Sequence, residues 1–595
     1  MSITAALLML AGAAPAVDYR ARLPEDEVMY FMLPDRFENG DPSNDRGGLK
    51  GDRMKTGYDP TSKGFYNGGD LKGLTSRLDY LQGMGVTAIW LGPIFKNKPV
   101  QGGPGQESAG YHGYWVTDFT SVDPHLGTNA DMKAFVDASH ARGIKVYMDI
   151  IANHTADVIA YKECPNSNCA YRSRADYPYQ RRGGTSGAPI NPGFAGDHVG
   201  TDANFAKLTD MNFAYTPFVP KGEERVKKPD WLNDISLYHN RGNTTFTNEN
   251  STMGDFVGLD DLMTEHPKVV AGLIDVFGDW IDQYGIDGFR IDTAKHVNPE
   301  FWQAFVPAMQ ARAKARGIPN FHIFGEVMTD NVDPGYLAKF TRVDGLPTVL
   351  DFAFRNALMA TIAGERGTDT FEHLFAGDAL YQGGEATARR LPTFSGNHDV
   401  GRFAYYVRRA FPKASDAEVM ARVNLSNAML FTLRGVPVIY SGDEQGFVGD
   451  GGDQGARETL FASKVASYND NDLVGTDATT AQNNFVTTHP IYKAIADLAR
   501  VRAAEPALRR GTQVLRARGD KPGLFAVSRL LDGREVLVAF NTSTSPINAN
   551  VQVEIGSLAF KSRHGDCTAV ASAPGSVAVK IPPLDYIVCA ADIAR

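Results

Sequence analysis

Short apolar runs recur along the chain and alternate with amphipathic stretches. Each run is nearly continuous in apolar residues, and polar residues follow it closely. Strands buried on both faces of a parallel sheet have this character, whereas strands with one solvated face alternate apolar and polar positions. The pattern predicts eight strands within the runs 28–37, 87–95, 145–154, 288–296, 321–327, 348–354, 391–399 and 436–444.

Amphipathic segments between these runs predict helices. In 269–284 the apolar residues recur at three- and four-residue spacing, and Gly285 follows as a candidate C-cap. The segment 417–433 is similar and leads into the last run. Repeated strand–helix units predict an α/β fold of the TIM (β/α)8 barrel type. A doubly wound open sheet is the alternative, because periodicity does not separate the two.

Two regions depart from the strand–helix alternation. The interval after the third run is rich in Gly, Pro, Asn, Asp and Tyr, which predicts a loop-rich inserted domain B rather than a barrel crossover. After residue 510, alternating strands with Gly and Asn turns predict a C-terminal antiparallel β-sandwich domain. The predicted segments are a signal peptide (1–16), two barrel parts (17–154 and 230–509), domain B (155–229) and the C-terminal domain (510–595).

The N-terminus predicts export. The run 5–16 is rich in Ala and Leu, and Ala14-Pro15-Ala16 resembles a small-residue cleavage site, although no Lys or Arg precedes the run. The run is too short to span a bilayer. The formal charge of −9 offers no attraction for nucleic acid or an anionic membrane. We therefore expect a periplasmic or secreted protein without nucleic-acid or membrane partners.

The four cysteines form two local pairs. Cys164 and Cys169 lie close together, and Cys567 and Cys589 lie near the C-terminus. Local pairs in an exported chain predict two disulfide bonds. A zinc site is the alternative, but the pairs are far apart and neither has the Cys-x-x-Cys spacing.

Carboxylates occur where the predicted strands end. Asp292, Glu326 and Asp399 follow three different runs, and in a TIM barrel these ends meet at one mouth. Side-chain alternation places Arg290 and Asp292 on the same face of the fourth strand, where the guanidinium would keep the carboxylate ionised. A buried salt bridge that closes the barrel is the alternative for this pair. The further carboxylates at equivalent strand ends favour catalysis, since glycoside hydrolysis requires two carboxyl groups.

Four short motifs resemble, in the same order, the signature regions of the α-amylase family, glycoside hydrolase family 13. They are DIIANH (149–154), GFRIDTAKH (288–296), GEV (325–327) and FSGNHD (394–399). The resemblance is closest to bacterial exported α-amylases. It implies that Asp292 is the nucleophile, that Glu326 is the general acid and base, and that Asp399 stabilises the transition state.

The resemblance also implies a set of substrate-binding residues. Tyr114, in the segment YHGYW (111–115), would stack on the sugar before the scissile bond, although an aromatic cluster alone would equally suit a core. Asp453 and Arg457 would hold sugars further along the donor side. The complete set is His112, Tyr114, His154, Arg290, Lys295, His296, His398, Asp453 and Arg457.

One or two structural calcium sites follow from the same resemblance. The first would use Asn153, Asp261 and the main-chain carbonyl of His296, between the barrel and domain B. The second, in the loops ENGDPSND (38–45) and NGGD (67–70), would use Asn39, Asp41, Asn44, Asp45, Gly68 and Asp70. Carboxylate, amide and carbonyl oxygens suit calcium. An Asx-rich turn without a metal is the alternative for the second set.

The resemblance implies an endo-acting, retaining hydrolase of α-1,4-glucosidic bonds in starch and maltodextrins. The alternative is a cyclomaltodextrinase- or neopullulanase-like or glucan-transferring enzyme with the same site. A non-enzymatic relative is disfavoured, because Asp292 and Glu326 are both present. Glucanotransferases carry a large aromatic residue where this chain has Val257, which argues against efficient cyclisation. The expected partner is an α-glucan, with cyclodextrin and pullulan as further candidates, and the expected state is a monomer.

Overall fold

A ring of eight parallel strands forms the centre of the fold. The computed structural model describes residues 18–164 and 168–594, so the predicted signal peptide lies outside the described residues. Each predicted run contains one strand, and the eight-strand prediction is confirmed. The strands are β1 (Met29–Met32), β2 (Ala88–Leu91), β3 (Lys145–Ile150), β4 (Gly288–Ile291), β5 (His322–Gly325), β6 (Thr348–Val349), β7 (Pro392–Thr393) and β8 (Val436–Tyr440).

The strand order shows a barrel and not an open doubly wound sheet. Neighbours run in the order β6-β5-β4-β3-β2-β1-β8-β7, and every pair is parallel. The remaining gap is bridged by Asp351, whose N–H donates to the carbonyl of Pro392 across 2.9 Å. The register pairs Ile291 of β4 with Gly325 of β5, so Asp292 and Glu326 leave the barrel at the same height.

Side-chain alternation divides the barrel core into two layers. Phe31, Trp90 and Phe324 pack inside the ring, whereas the alternate residues Phe289 and Ile291 pack outward under the helices. Since these two β4 residues face outward, Arg290 between them projects into the barrel, as the sequence predicts.

Helices cover the outside of the ring. In the described residues, those of six residues or more are α1 (Leu71–Ser76), α2 (Leu78–Gly83), α3 (Asn129–Ala141), α4 (Pro267–Tyr284), α5 (Pro299–Ala315), α6 (Pro334–Arg342), α7 (Phe352–Thr361), α8 (Asp369–Ala376), α9 (Phe403–Ala410), α10 (Asp416–Thr432) and α11 (Pro490–Ala504). Both predicted helices are confirmed, as α4 and α10. Gly285 ends α4 in the left-handed conformation at φ 72°, with its N–H bonded to the carbonyl of Ile281. None of the described helices is both long and apolar enough to cross a membrane.

The region between β3 and α4 contains little regular structure. Its regular elements are the short strands Ala160–Tyr161 and Pro217–Phe218, the helix Asp202–Phe205 and isolated 3-10 turns. A disulfide joins Cys164 to Cys169. Hydrogen bonding within the insert continues past residue 229, because the N–H of Asn243 donates to the carbonyl of Cys169. The next barrel element is α4, and the boundary at 229/230 stays a prediction.

The C-terminal segment folds as two facing antiparallel sheets. Its strands are β9 (Thr512–Ala517), β10 (Leu524–Leu531), β11 (Arg534–Asn541), β12 (Ile547–Gln552), β13 (Ser557–His564), β14 (Ser576–Ile581) and β15 (Tyr586–Ile593). Five of them pair in the order β9-β10-β11-β15-β13, and β12 pairs with β14. Leu537, Val551 and Val579 share the core between the sheets, and a disulfide joins Cys567 to Cys589. The predicted β-sandwich and both cysteine pairings are confirmed.

Candidate active site

The strand ends open into a cleft of about 650 Å³. It lies at the carboxyl-terminal mouth of the barrel, where loops after the strands converge. Ten of the twelve predicted catalytic and substrate-binding residues line it. They are His112, Tyr114, His154, Asp292, Lys295, His296, Glu326, Asp399, Asp453 and Arg457. The other two, Arg290 and His398, are fully buried behind its wall.

Arg290 connects three carboxylates at the bottom of the cleft. Its Nη1 donates to Asp149 Oδ1 across 2.8 Å and to Asp292 Oδ1 across 2.9 Å. Its Nη2 lies 2.9 Å from Glu326 Oε2, as an ion pair without hydrogen-bond alignment. One planar guanidinium therefore orients both of the acids that the sequence predicts to be catalytic.

Thr293 also holds both acids. Its Oγ1 donates to Asp292 Oδ2, and its N–H donates to Glu326 Oε2, each across 3.1 Å. The residue has a left-handed backbone at φ 44°, which is unfavourable for a β-branched side chain. Strain of this kind persists where surrounding contacts over-determine the backbone, and it clusters at functional sites.

The carboxylates of the cleft are electrostatically coupled. Burial raises the pKa of Asp292 well above its usual range, Arg290 opposes the shift, and Glu326 adds to it. Burial also raises the pKa of Asp149 to about 6, again against the effect of Arg290. Arg290 thus favours the ionised form of Asp292, whereas burial and the neighbouring carboxylates favour the protonated form.

Asp399 is the most open of the three predicted catalytic acids, with 37% of its side chain exposed. Arg457 Nη2 lies 3.1 Å from Asp399 Oδ1 and 2.6 Å from Asp453 Oδ1. His398 Nε2 lies 3.2 Å from Asp399 Oδ2 and 2.9 Å from the hydroxyl of Tyr114. The structure therefore places His398 against two cleft residues rather than in the cleft itself.

Burial keeps four imidazoles of the site neutral. Burial lowers the pKa of His154 to about 3 and that of His296 to about 4, and it lowers the pKa of His112 and His398 well below their usual range. Buried His154 Nε2 has no hydrogen-bond partner among the described residues. A neutral imidazole beside the cleft offers the donor and acceptor nitrogens that suit a sugar hydroxyl.

Several residues that line the cleft are not among those predicted from the sequence. They include Gln101, Gln106, Trp115, Asp157, Phe246, Phe256 and Met328. Phe246 is 48% exposed and left-handed at φ 63°. Its ring lies 5.7 Å from that of His296. The Gly-rich run 102–105 was a signal for a loop at the cleft, but no sequence pattern marks Phe246.

Two residues of the first predicted calcium set, Asn153 and Asp261, lie close together, and Asp261 already has a partner. The carbonyl of Asn153 accepts the N–H of Leu262, so Asn153 and Asp261 are adjacent. Asp261 Oδ2 accepts a 2.6 Å hydrogen bond from His239 Nδ1. Two carboxylates raise the pKa of His239 to about 10, despite its burial. The side chain of Asp261 therefore already has a hydrogen-bonding partner in His239.

The second predicted calcium set has the donor chemistry that calcium requires. Buried Asn39 Oδ1 and Asn44 Oδ1 have no hydrogen-bond partner among the described residues. Gly68 lies against Asn39 and Asp45, where a Cβ would be 2.7 Å from the Asn39 amide. Asp41 pairs with Lys72, and Asp70 Oδ2 accepts the N–H of Asp41 across 2.8 Å. Unpartnered amide oxygens beside a carboxylate fit a hard cation.

Known proteins resemble this chain over most of its length. The family model for the α-amylase catalytic domain matches residues 31–516. An α-amylase of Streptomyces lividans is 43% identical over 565 residues, which cover 94% of this chain and 60% of that protein. The chain thus spans about three fifths of that relative's length.

Solved structures also resemble this chain over most of its length. A cyclomaltodextrin glucanotransferase with a three-domain ABC distribution, CldA, superposes with a TM-score of 0.71 at 26% identity, over 96% of this chain and 99% of that chain. An Anoxybacillus α-amylase superposes with a TM-score of 0.67 at 25% identity, over the same two shares. With a family match across the whole barrel and its signature motifs gathered in one cleft, the chain belongs to the α-amylase family.

Proposed function

We propose that this chain is an endo-acting, retaining hydrolase of α-1,4-glucosidic bonds in starch and maltodextrins. One observation carries the proposal: Asp292 and Glu326 contact the same guanidinium, and both line a cleft that also contains Asp399. Two carboxyl groups that close together suit a double displacement, since no water has to fit between sugar and nucleophile.

In the first step, a carboxylate oxygen of Asp292 attacks the anomeric carbon. Glu326 gives its proton to the glycosidic oxygen, the C–O bond to the leaving chain breaks, and a glycosyl-enzyme ester forms. In the second step, Glu326 takes a proton from water, whose oxygen attacks the same carbon and releases Asp292. Asp399 binds sugar hydroxyls and stabilises the developing positive charge.

Cleft residues outside the acids bind and orient the glucan. Tyr114 offers a ring for the sugar at the cleavage point, and His154 offers a free imidazole nitrogen for a hydroxyl. The Asp453–Arg457 pair forms one polar cluster with Asp399, and Lys295 lies in another, bonded to the carbonyl of Met328. Polar groups in addition to Asp292 and Glu326 support a long chain bound across the cleft, as internal cleavage requires.

The metal and compartment proposals follow from separate features. The loop with Asn39, Asn44, Asp45 and Gly68 would hold a structural calcium ion, which when bound supplies positive charge to oxygens that the fold leaves unpartnered. The other predicted set, with Asn153, Asp261 and His296, stays a prediction. Two disulfides support export to an oxidising compartment.

A glucan-transferring activity is the second candidate. It is favoured by the superposition with CldA, a cyclomaltodextrin glucanotransferase. It is disfavoured by Val257, a small, 72% exposed residue at the cleft where glucanotransferases carry a large aromatic. Water and sugar compete as acceptor in the second step, so the same acids serve both reactions.

The test follows reducing ends and iodine staining together during digestion of soluble starch. Early loss of stain with new reducing ends supports internal hydrolysis, whereas loss of stain with few new ends means that sugar is the acceptor. Glu326→Gln keeps the shape of the side chain but removes the acid. It should lower kcat by about 10²–10⁴-fold with the fold retained, and near-normal turnover would overturn the assignment of Glu326.

A further inference from the structure

A second concave site lies on the outside of the barrel. It is a groove of about 450 Å³ between α4 and the 3-10 turn Asp230–Asn233, and we call it the Trp231 groove. Its lining includes Trp231, Gly272 and Tyr284, and it shares no lining residue with the catalytic cleft. The groove is therefore separate from the site described above.

Trp231 forms one side of the groove and is held in place by the backbone of α4. Its ring lies so close to Gly272 that a Cβ there would be 2.4 Å from Cζ2 of the indole. The side chain is half-buried, and its Nε1 makes no hydrogen bond among the described residues. A fixed indole with an available N–H combines an apolar face with a donor.

Two further aromatic residues line the groove from α4. Trp280 and Tyr284 are stacked, with ring centroids 4.6 Å apart. Trp280 Nε1 donates to the carbonyl of Phe119 across 2.8 Å, which fixes the stack. The hydroxyl of Tyr284 has no partner among the described residues, and exposed Gln283 lies beside it. Because Trp280 and Tyr284 are only 3% and 9% exposed, they form the rigid floor of the groove, and Trp231 with the Tyr284 hydroxyl and the Gln283 amide offers the groups for a ligand.

The charged residues of the rim already have partners within the protein. Lys268 lies 3.3 Å from Asp234, and Arg312 contacts both Asp279 at 2.8 Å and Asp275 at 3.9 Å. Because both cations are paired and the aspartates outnumber them, the rim has no spare positive charge for a phosphate or a sulfated polymer. A neutral ligand with apolar faces and many hydroxyls matches both the rings and the rim.

We propose that the Trp231 groove is a second binding site for a segment of an α-glucan chain. The inference rests on the proposed function, because that function makes an α-glucan the polymer that this protein meets. A glucose ring has a flat C–H face that packs on an indole, and hydroxyls that accept from Nε1 and bond to Tyr284 and Gln283. A polymer held here would stay close while other segments enter the cleft.

The test measures binding to glycogen and catalysis on a short substrate separately. Affinity electrophoresis in gels with increasing glycogen gives an apparent Kd for the full-length protein. Trp231→Ala should weaken this Kd about tenfold, whereas kcat/KM for maltotriose should stay within about twofold. Tyr336→Ala, which removes an exposed ring on another helix, is the matched control and should change neither value.

A variant that fails to fold would show a lowered Tm, and Tyr284→Phe then serves as the second test. It keeps the stacked ring and removes only the unpartnered hydroxyl, so glycogen binding should weaken about threefold with Tm unchanged. Unchanged glycogen binding in a folded Trp231→Ala variant overturns the inference and leaves the proposed function intact. A wild-type protein that neither digests starch nor binds glycogen means that the proposed function itself is wrong.

Discussion

Arg290 and Asp149 face each other across neighbouring strands, with Nη1 2.8 Å from Oδ1 and both side chains fully buried. This ion pair fixes the guanidinium from below, because the parallel register of β3 and β4 places the two residues side by side. The remaining contacts of Arg290 then reach upward to Asp292 and Glu326. The proposed catalytic acids are therefore positioned by a residue that does not itself line the cleft.

Replacement of Arg290 by lysine should damage catalysis more than binding. A lysine ammonium lacks the planar fork that contacts Asp149, Asp292 and Glu326 in fixed directions, so the acids lose their relative orientation. We expect kcat on maltodextrins to fall about 100-fold with a small change in KM. Arg402→Lys is the matched control, because Arg402 is equally buried and pairs with Asp443 and Glu458 outside the cleft. Equal loss of kcat in both variants would mean that the effect is structural.

The acid limb of the pH profile should come from carboxylates and not from histidines. The pKa of Asp292 is raised, mainly by burial, so the proposed nucleophile becomes protonated and activity should fall as pH drops through this raised value. His154 contributes no such limb, because burial lowers its pKa to about 3 and it stays neutral throughout. His154→Asn should raise KM and leave the limb of kcat/KM in place. A limb that moves in this variant would contradict the assignment.

Calcium should stabilise the protein through the loop that contains Asn44. At a free concentration 100 times the Kd, a single site adds about 2.7 kcal/mol to the free energy of unfolding. We therefore expect a chelator to lower Tm and Asn44→Ala to abolish the chelator effect. Asn550→Ala, at an exposed strand position of the C-terminal domain, is the matched control. A full chelator effect in Asn44→Ala would locate the ion elsewhere.

Enlarging Val257 should shift the reaction from water towards sugar acceptors. Val257→Tyr would place an aromatic ring at the cleft, where it can hold an incoming chain and exclude water. The expected result is iodine-stain loss with fewer new reducing ends per bond broken. Val257→Gly is the control, because Val257 has a left-handed backbone at φ 55° that glycine adopts without strain. A similar shift in both variants would trace the effect to the backbone.

Much of the barrel and many of its site residues could be predicted, because the patterns that mark each strand and each motif are local in sequence. Continuous apolar runs mark buried parallel strands, and the residue after each run lies at the barrel mouth whatever the loops do. Asp292, Glu326 and Asp399 were therefore predicted as one site from three separate segments. The α4 helix and its Gly285 cap were predicted for the same reason, since 3.6-residue periodicity and capping need no distant partner.

The tertiary structure decided which charged groups lie in contact and which surfaces form between distant segments. The strand register brings Arg290 to Asp149 and Glu326, and burial at that point raises the pKa of Asp292, which no local pattern encodes. Irregular loops place Phe246 in the cleft and Trp231 against Gly272. Sequence alone thus determined the strands, the acids and the family motifs, because periodicity and motif spacing are local. Long-range packing decided the electrostatics and the second groove, because these depend on contacts between segments far apart in the chain.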